Sequence, residues 1–380
     1  MQIILVLGFL ILCNISCSDD NNTMNDTFIG IKDVFQIKDE NLVDHLDTDE
    51  LPEINSELDI LYSEDDVSND IEDILDIQSS DTGIVNILNI SLIMQLENSN
   101  VLNSKSELDN FISKIDDLTK LFEKYNAKIS FEAKEIVSAS VKYKSNFLNQ
   151  LVGRGHSVNL HADTGFEYGI NFSDFVQKLR EKKEELERLS IIPLSVSGIC
   201  SQLDWVAASF NVGFAYITSI TAYCLKSLPL ESQPDFVKSC IGHLDCQQLY
   251  PFESEKKLFP WRAKLGSDWR VDDEEGLMVL MPSFSRLPCI QEEYRNTTRN
   301  ISNCVFDNFD IERSLDIIEE SMTKFDNEKI NVIIFIWNLQ TDIDKNLLEK
   351  WLNNIDYYVK KQKLRWMNTD EIYNKYIRKN

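Results

Sequence analysis

The sequence predicts an α/β fold, a barrel of seven or eight (β/α) units preceded by an acidic tether, and three observations carry that expectation. From Gly83 onward, apolar β-branched runs alternate with amphipathic stretches of helical spacing. The first run, "IVNILNISLIMQLEN", is long and apolar on both parities, as a strand buried on both faces of a parallel sheet must be. Seven or eight such units in about 300 residues suit a closed barrel better than an open sheet.

Before that region the chain has another character. The opening "MQIILVLGFLILCNISCSDDNN" is an apolar run too short to span a bilayer, followed abruptly by polar and acidic residues. We read residues 1–17 as an export signal, with two outcomes open: lipidation of Cys17, which would anchor the protein to a membrane, or cleavage after Ser18. Residues 18–82 hold 21 Asp and Glu against two Lys, a net −19 of the chain's −25. This segment reads as a disordered, solvated tether. Such a surplus, carried by the tail, repels phosphates, which disfavours nucleic acid as a partner class.

The elements then follow in order. "SELDNFISKIDDLTKLFEKYNAK" places Leu108, Phe111, Ile112, Ile115, Leu118 and Phe122 on one helical face, with Ser106 and Asp109 spaced as an approximate capping box. "KISFEA" is the second strand, and residues 138–153 are a helix ending at glycines. "GRGHSVNLHADTG" contains the third strand, in which Val158, Leu160 and Ala162 alternate with Asn159, His161 and Asp163. A charged helix over 172–190, strand "IIPLSVSG", helix "LDWVAASFNVG" and strand "FAYITSITAYC" continue the pattern. An insertion rich in Cys, Trp and Pro spans about 225–275. Strand "GLMVLMPSF", a helix near 309–325, strand "INVIIFIWNL", a helix over 344–361 and a short "LRWMN" close the domain at 83–380.

Six cysteines follow the leader: Cys200, Cys224, Cys240, Cys246, Cys289 and Cys304. An even number in an exported chain implies disulfides, and Cys240 with Cys246 would close a short loop. No CxxC pair, GxSxG elbow, GxGxxG, P-loop or HExxH occurs.

Barrels of this class carry chemistry where strands end, which nominates Gln95, Glu97, Glu132, His161, Asp163, Ser197, Cys200, Ser283, Trp337 and Asn338. His161 and Asp163 share one strand face. His156 has the opposite parity and reads as a structural or turn residue, and His243 as part of a disulfide loop.

The segments "FLNQLVGRGHSVNLH" and "LFEKYNAKISFEA", with the closing "LEKWLNNIDYYVKKQKLRWMNTDEIYNKY", resemble the polysaccharide deacetylase (NodB-homology) family in order and spacing over roughly Ile84 to Tyr376. The resemblance implies a distorted (β/α) barrel, a bound zinc or other divalent metal, and deacetylation of N-acetylated glycans, with a metal-polarised carbonyl, a carboxylate base and an imidazole acid. It places the first metal histidine at His161. Where the family has a second, this chain has Gly165; the first strand reads "MQLEN", leaving Glu97 as its carboxylate; the late strand ends "FIWNLQ". The expected site is therefore His161, Glu97 and Asp163 as metal ligands, with Glu97 and Asp163 catalytic. Trp205, Trp269 and Trp337 are nominated to bind substrate, since exposed aromatics beside polar groups, as around Trp269 in the insertion, suit carbohydrate; core packing for Trp205 and a loop packed on itself over the barrel for the insertion stand as the alternatives. The departures leave two expectations: a deacetylase of cell-envelope or environmental glycans with divergent or lost activity, or a degenerate barrel that binds glycans or other surface partners and holds no cofactor.

Overall fold

The computed structural model describes residues 87–264, 268–295 and 304–379. The expected export signal, Cys17 and the acidic tether lie outside the described residues.

Ten strands are described: β1 (Leu88–Leu96), β2 (Ile129–Ala133), β3 (Ser157–His161), β4 (Ser195–Ser197), β5 (Tyr216–Ile217), β6 (Trp261–Ala263), β7 (Met278–Leu280), β8 (Ser285–Arg286), β9 (Val332–Asn338) and β10 (Leu364–Trp366). Their order is β6-β7-β5-β4-β3-β2-β1-β9-β8, with β10 beside the start of β1, and every pairing but β6 with β7 is parallel.

Chain connectivity forces this sheet to close. In a flat sheet β7 and β8 would stand seven strand spacings apart, about 34 Å at ~4.8 Å each. Yet only residues 281–284 separate Leu280 from Ser285, a link that spans at most about 18 Å. Met281 N donates to Ile217 O at 2.9 Å on one side, and Phe284 N donates to Ile334 O at 2.7 Å on the other. One length of chain thus leaves β5 and joins β9, and the strands form a distorted (β/α) barrel.

Side-chain parity sorts the barrel into two layers. Leu92, Met94 and Leu96, with Ile129, Phe131 and Ala133, Val158 and Leu160, and Ile333, Phe335 and Trp337, face outward and share one core with helices such as Lys105–Glu123 and Lys345–Lys360. Ile93, Tyr216, Val279, Met281, Ile334 and Ile336 face the lumen. Ile372 and Tyr376 of the helix Thr369–Lys379 pack with this second group and plug the base. There Asp370 accepts from Asn159 Nδ2 at 2.9 Å and Tyr216 OH at 2.5 Å, which satisfies its buried carboxyl group.

Three elements differ from the sequence expectation. The helix Lys105–Glu123 is capped by Ser104, whose Oγ accepts from Glu107 N at 3.1 Å; Asp109 pairs instead with Lys105. The expected helix over 138–153 is two helices, Glu135–Tyr143 and Phe147–Gly153, broken where Lys144 takes φ 55°, and each buries its own apolar side. The strand expected through Cys224 ends after Ile217: Ser219 turns the chain with φ 54°, and Ala222–Ser227 is a 3-10 helix.

The six cysteines form Cys200–Cys224, Cys240–Cys246 and Cys289–Cys304. Among the described residues no helix is long and apolar enough to cross a membrane.

Candidate functional site: a charge cluster at the strand ends

The lumen-facing parity that sets the core also delivers polar groups to the C-terminal rim. Continuing Ile93 by two and four residues gives Gln95 and Glu97; β2 gives Glu132 and then Lys134; β3 gives His161 and then Asp163.

His161 lies at the centre and is buried. Its Nε2 is 3.1 Å from Glu97 Oε1, and its Nδ1 is 2.7 Å from Ser197 Oγ and 3.6 Å from Glu132 Oε2. Burial alone would favour the neutral ring. The neighbouring carboxylates of Glu132 and Glu97 outweigh it and raise the imidazole pKa to about 10, which favours the protonated ring. Both carboxylates are held below their ordinary value by the same contacts, against the opposing effect of their own burial.

Glu132 is 1% exposed, which only full hydrogen bonding makes tolerable. It accepts from Gln95 Nε2 at 3.0 Å, Thr218 Oγ1 at 2.5 Å and Ser219 Oγ at 2.9 Å. The turn at Ser219, which ends β5 early, is what brings that hydroxyl inward.

Lys134 completes the cluster. Its Nζ is 2.7 Å from Asp163 Oδ2, 3.3 Å from Glu135 Oε1 and 3.9 Å from Glu97 Oε2. These partners raise its pKa against the effect of burial, while the Lys134 contact lowers that of Asp163. Asp163 takes φ 49° and leans toward Gly198, whose φ is 67°. A Cβ on Gly198 would lie 2.8 Å from Asp163 N and 3.0 Å from His161 Cε1, so only glycine fits this contact.

These groups border a cavity of about 260 Å³, lined by Gln95, Glu97, His161, Asp163, Ser219 and Asn338 together with Phe166, Tyr223, His243 and Arg286. Phe166 and His243 stack at 3.8 Å between ring centroids. The structure thus brings together the three expected residues His161, Glu97 and Asp163. Of the other nominated strand ends, Gln95, Glu132, Ser197, Cys200 and Asn338 join or line the site, while Ser283 is buried and absent from the cavity wall. Lys134 was missed although it follows β2 by one residue and shares the parity of Glu132. His243 reaches the cavity from within the Cys240–Cys246 loop, a placement that spacing does not encode.

The three tryptophans expected to bind substrate do not line this cavity, and each is buried. Trp337 has the outward parity of Ile333 and Phe335, and its indole N–H donates to Thr341 O. Trp205 and Trp269 pack edge to face at 4.9 Å, joining the insertion to the helix Trp205–Val212, both donating to Ser227 Oγ. They are core residues, and the substrate-binding expectation is corrected accordingly. His156 is also buried and structural: its Nδ1 accepts from Ile129 N, and its Nε2 bonds Glu123.

The residues present do not fit a metal. A metal-bound histidine offers a neutral ring nitrogen, whereas His161 Nε2 lies 3.1 Å from Glu97 Oε1 and the flanking carboxylates favour the protonated ring. The ammonium of Lys134 stands against Asp163 and Glu97, where a cation would have to enter. Among the described residues no group of three or more His, Cys, Asp or Glu is arranged to hold a metal ion. The expected ligand set His161, Glu97 and Asp163 is therefore assembled as a salt-bridged cluster rather than a coordination sphere.

No family model and no curated protein sequence matches the chain. Solved structures give distant matches. PuuE allantoinase aligns at 12% identity with a TM-score of 0.48, covering 75% of this chain and 89% of its own. A Mycobacterium smegmatis protein described as a polysaccharide deacetylase aligns at 9% identity and TM-score 0.47, covering 77% and 91%. Another so described, from Pseudomonas aeruginosa, aligns at 12% and 0.46, covering 75% and 89%. The chemistry of the site is argued from its own side chains.

Proposed function

We propose that this protein is an exported, deacetylase-shaped barrel that binds N-acetylated cell-envelope or environmental glycans without metal-dependent turnover. One observation carries the reading: a cavity walled by Gln95, Glu97, Ser219 and Asn338, together with aromatic Phe166 and Tyr223, surrounds a histidine already paired with two carboxylates. Amide and carboxylate groups suit sugar hydroxyls, and ring faces suit a pyranose or an acetyl methyl. At about 260 Å³ the cavity lies near the lower end of small-molecule sites, the size for a single sugar unit of a chain.

In this reading Glu97 and Asp163 accept hydrogen bonds from ligand, and His161 and Lys134 hold them in place. Export is supported by three disulfides, which persist in oxidising compartments. Attachment through a lipid on Cys17 belongs to the same proposal and is tested by the mass of the purified N-terminus.

The experiment is calorimetric titration of the oxidised protein with N-acetylglucosamine oligomers in EDTA, alongside an assay for released acetate. We expect binding that survives EDTA, weakens at least tenfold in Phe166→Ala, and releases no acetate. Acetate release that requires added zinc and vanishes in His161→Ala would overturn the reading, as would absence of binding to any N-acetylated glycan.

A further inference from the structure

The mismatch between this cluster and a metal site has a specific author in the sequence. Glu97, Glu135 and Asp163 come from three separate elements: the end of β1, the first turn after β2, and the end of β3. All three converge on Lys134 Nζ, at 3.9, 3.3 and 2.7 Å. Each is largely withdrawn from solvent, with side-chain exposures of 17%, 18% and 30%. The outer oxygens are anchored: Glu97 Oε1 on His161, and Glu135 Oε2 on the backbone N–H of Asn98. Carboxylate oxygens are the ligands that hard divalent ions take, and as placed these three carboxylates stand at ammonium rather than metal distances. Here a covalently attached ammonium stands among them.

We propose that Lys134 is the resident cation of this site, filling an oxygen-lined position that a divalent ion would otherwise take and so keeping the cavity metal-free. The substitution exchanges an ion that must be acquired for one that the chain carries, and it holds Asp163 and Glu97 in place at the cavity wall. This rests on the reading of the cavity as the working site; its test uses metal ions alone, with no glycan, so failure of either idea leaves the other standing.

The test compares the wild type with Lys134→Met, which keeps the reach of the side chain and removes its charge. Mn2+ and Ca2+ are titrated, with bound metal and melting temperature as readouts. Wild type should bind neither ion, and its melting temperature should be indifferent to millimolar metal. Lys134→Met should bind about one Mn2+ per chain, more than about tenfold tighter than wild type, and melt higher with metal than without. Adding Asp163→Asn should abolish that gain, and Lys134→Arg should behave as wild type. If Lys134→Met does not fold alone, Mn2+ should rescue its refolding. A folded Lys134→Met that takes up no metal, a failure of rescue, or wild-type metal binding that depends on Asp163 would each overturn the proposal.

Discussion

Replacing Gly198 by alanine puts a methyl group where the site has no room, and the cost divides into two separable parts. The backbone part arises because Gly198 has φ +67°, a region that L-residues occupy at about 1 kcal/mol or slightly more. The steric part arises because the new Cβ would sit 2.8 Å from Asp163 N and 3.0 and 3.1 Å from His161 Cε1 and Nε2. Neither neighbour yields easily: Thr164 N donates to Gly198 O at 3.0 Å, tying the two segments together, and the His161 ring is held from both nitrogens. Overpacking of this kind costs about 1–3 kcal/mol, giving a total of about 2–4 kcal/mol. Gly155 supplies the control, since it has φ +90° but nothing within 4 Å of a built Cβ. Gly155→Ala should therefore lose only the backbone part. Urea denaturation of the oxidised variants measures both, and Gly198→Ala should exceed Gly155→Ala by about 1–3 kcal/mol at an unchanged m-value. Equal losses would show that the His161–Asp163 wall is soft, and would refute the picture of a rigid charge cluster.

Two further outcomes follow from the buried charges. His161, raised to about 10 by Glu132 and Glu97, should show imidazolium 15N shifts throughout pH 6–9, whereas His156, lowered by burial, should be neutral at pH 7. Because the folded pKa of His161 exceeds its ordinary value, the stability it contributes is complete below about pH 6.5 and is lost as pH climbs through about 10; a neutral ring at pH 7 would contradict this. Lys257 behaves oppositely. It is buried with one hydrogen bond, to Phe284 O at 2.8 Å, and desolvation lowers its pKa to about 8. At Lys257 the native state thus holds fewer protons than the unfolded chain between about pH 8 and 10.5, so this group's own contribution to stability rises with pH there, opposite in sign to that of His161. Lys257→Met should remove that rise and, at pH 7, raise stability by about 1–2 kcal/mol, since it deletes a desolvation cost larger than one hydrogen bond. A loss of stability in urea melts would count against it.

The sequence by itself determined the parallel α/β architecture, because strands buried on both faces read as continuous apolar runs and helices show their spacing. It also placed His161, Asp163, Glu97, Gln95 and Glu132 on one rim, because strand parity fixes which side chains share a face and strand ends fix where they emerge. Parity could have excluded Trp337 and included Lys134 as well; residue type misled where the two-residue period was the better guide. Tertiary structure alone decided the rest. Barrel closure depends on a four-residue link joining two distant strand positions, the break at Ser219 on a hydroxyl reaching Glu132, and the placement of His243 on a disulfide loop folded over the rim. It decided, above all, that the carboxylates pair with His161 and Lys134 instead of standing open to a metal. Ionic pairing depends on distances of a few ångströms between separate strands, and no local pattern of residues records them.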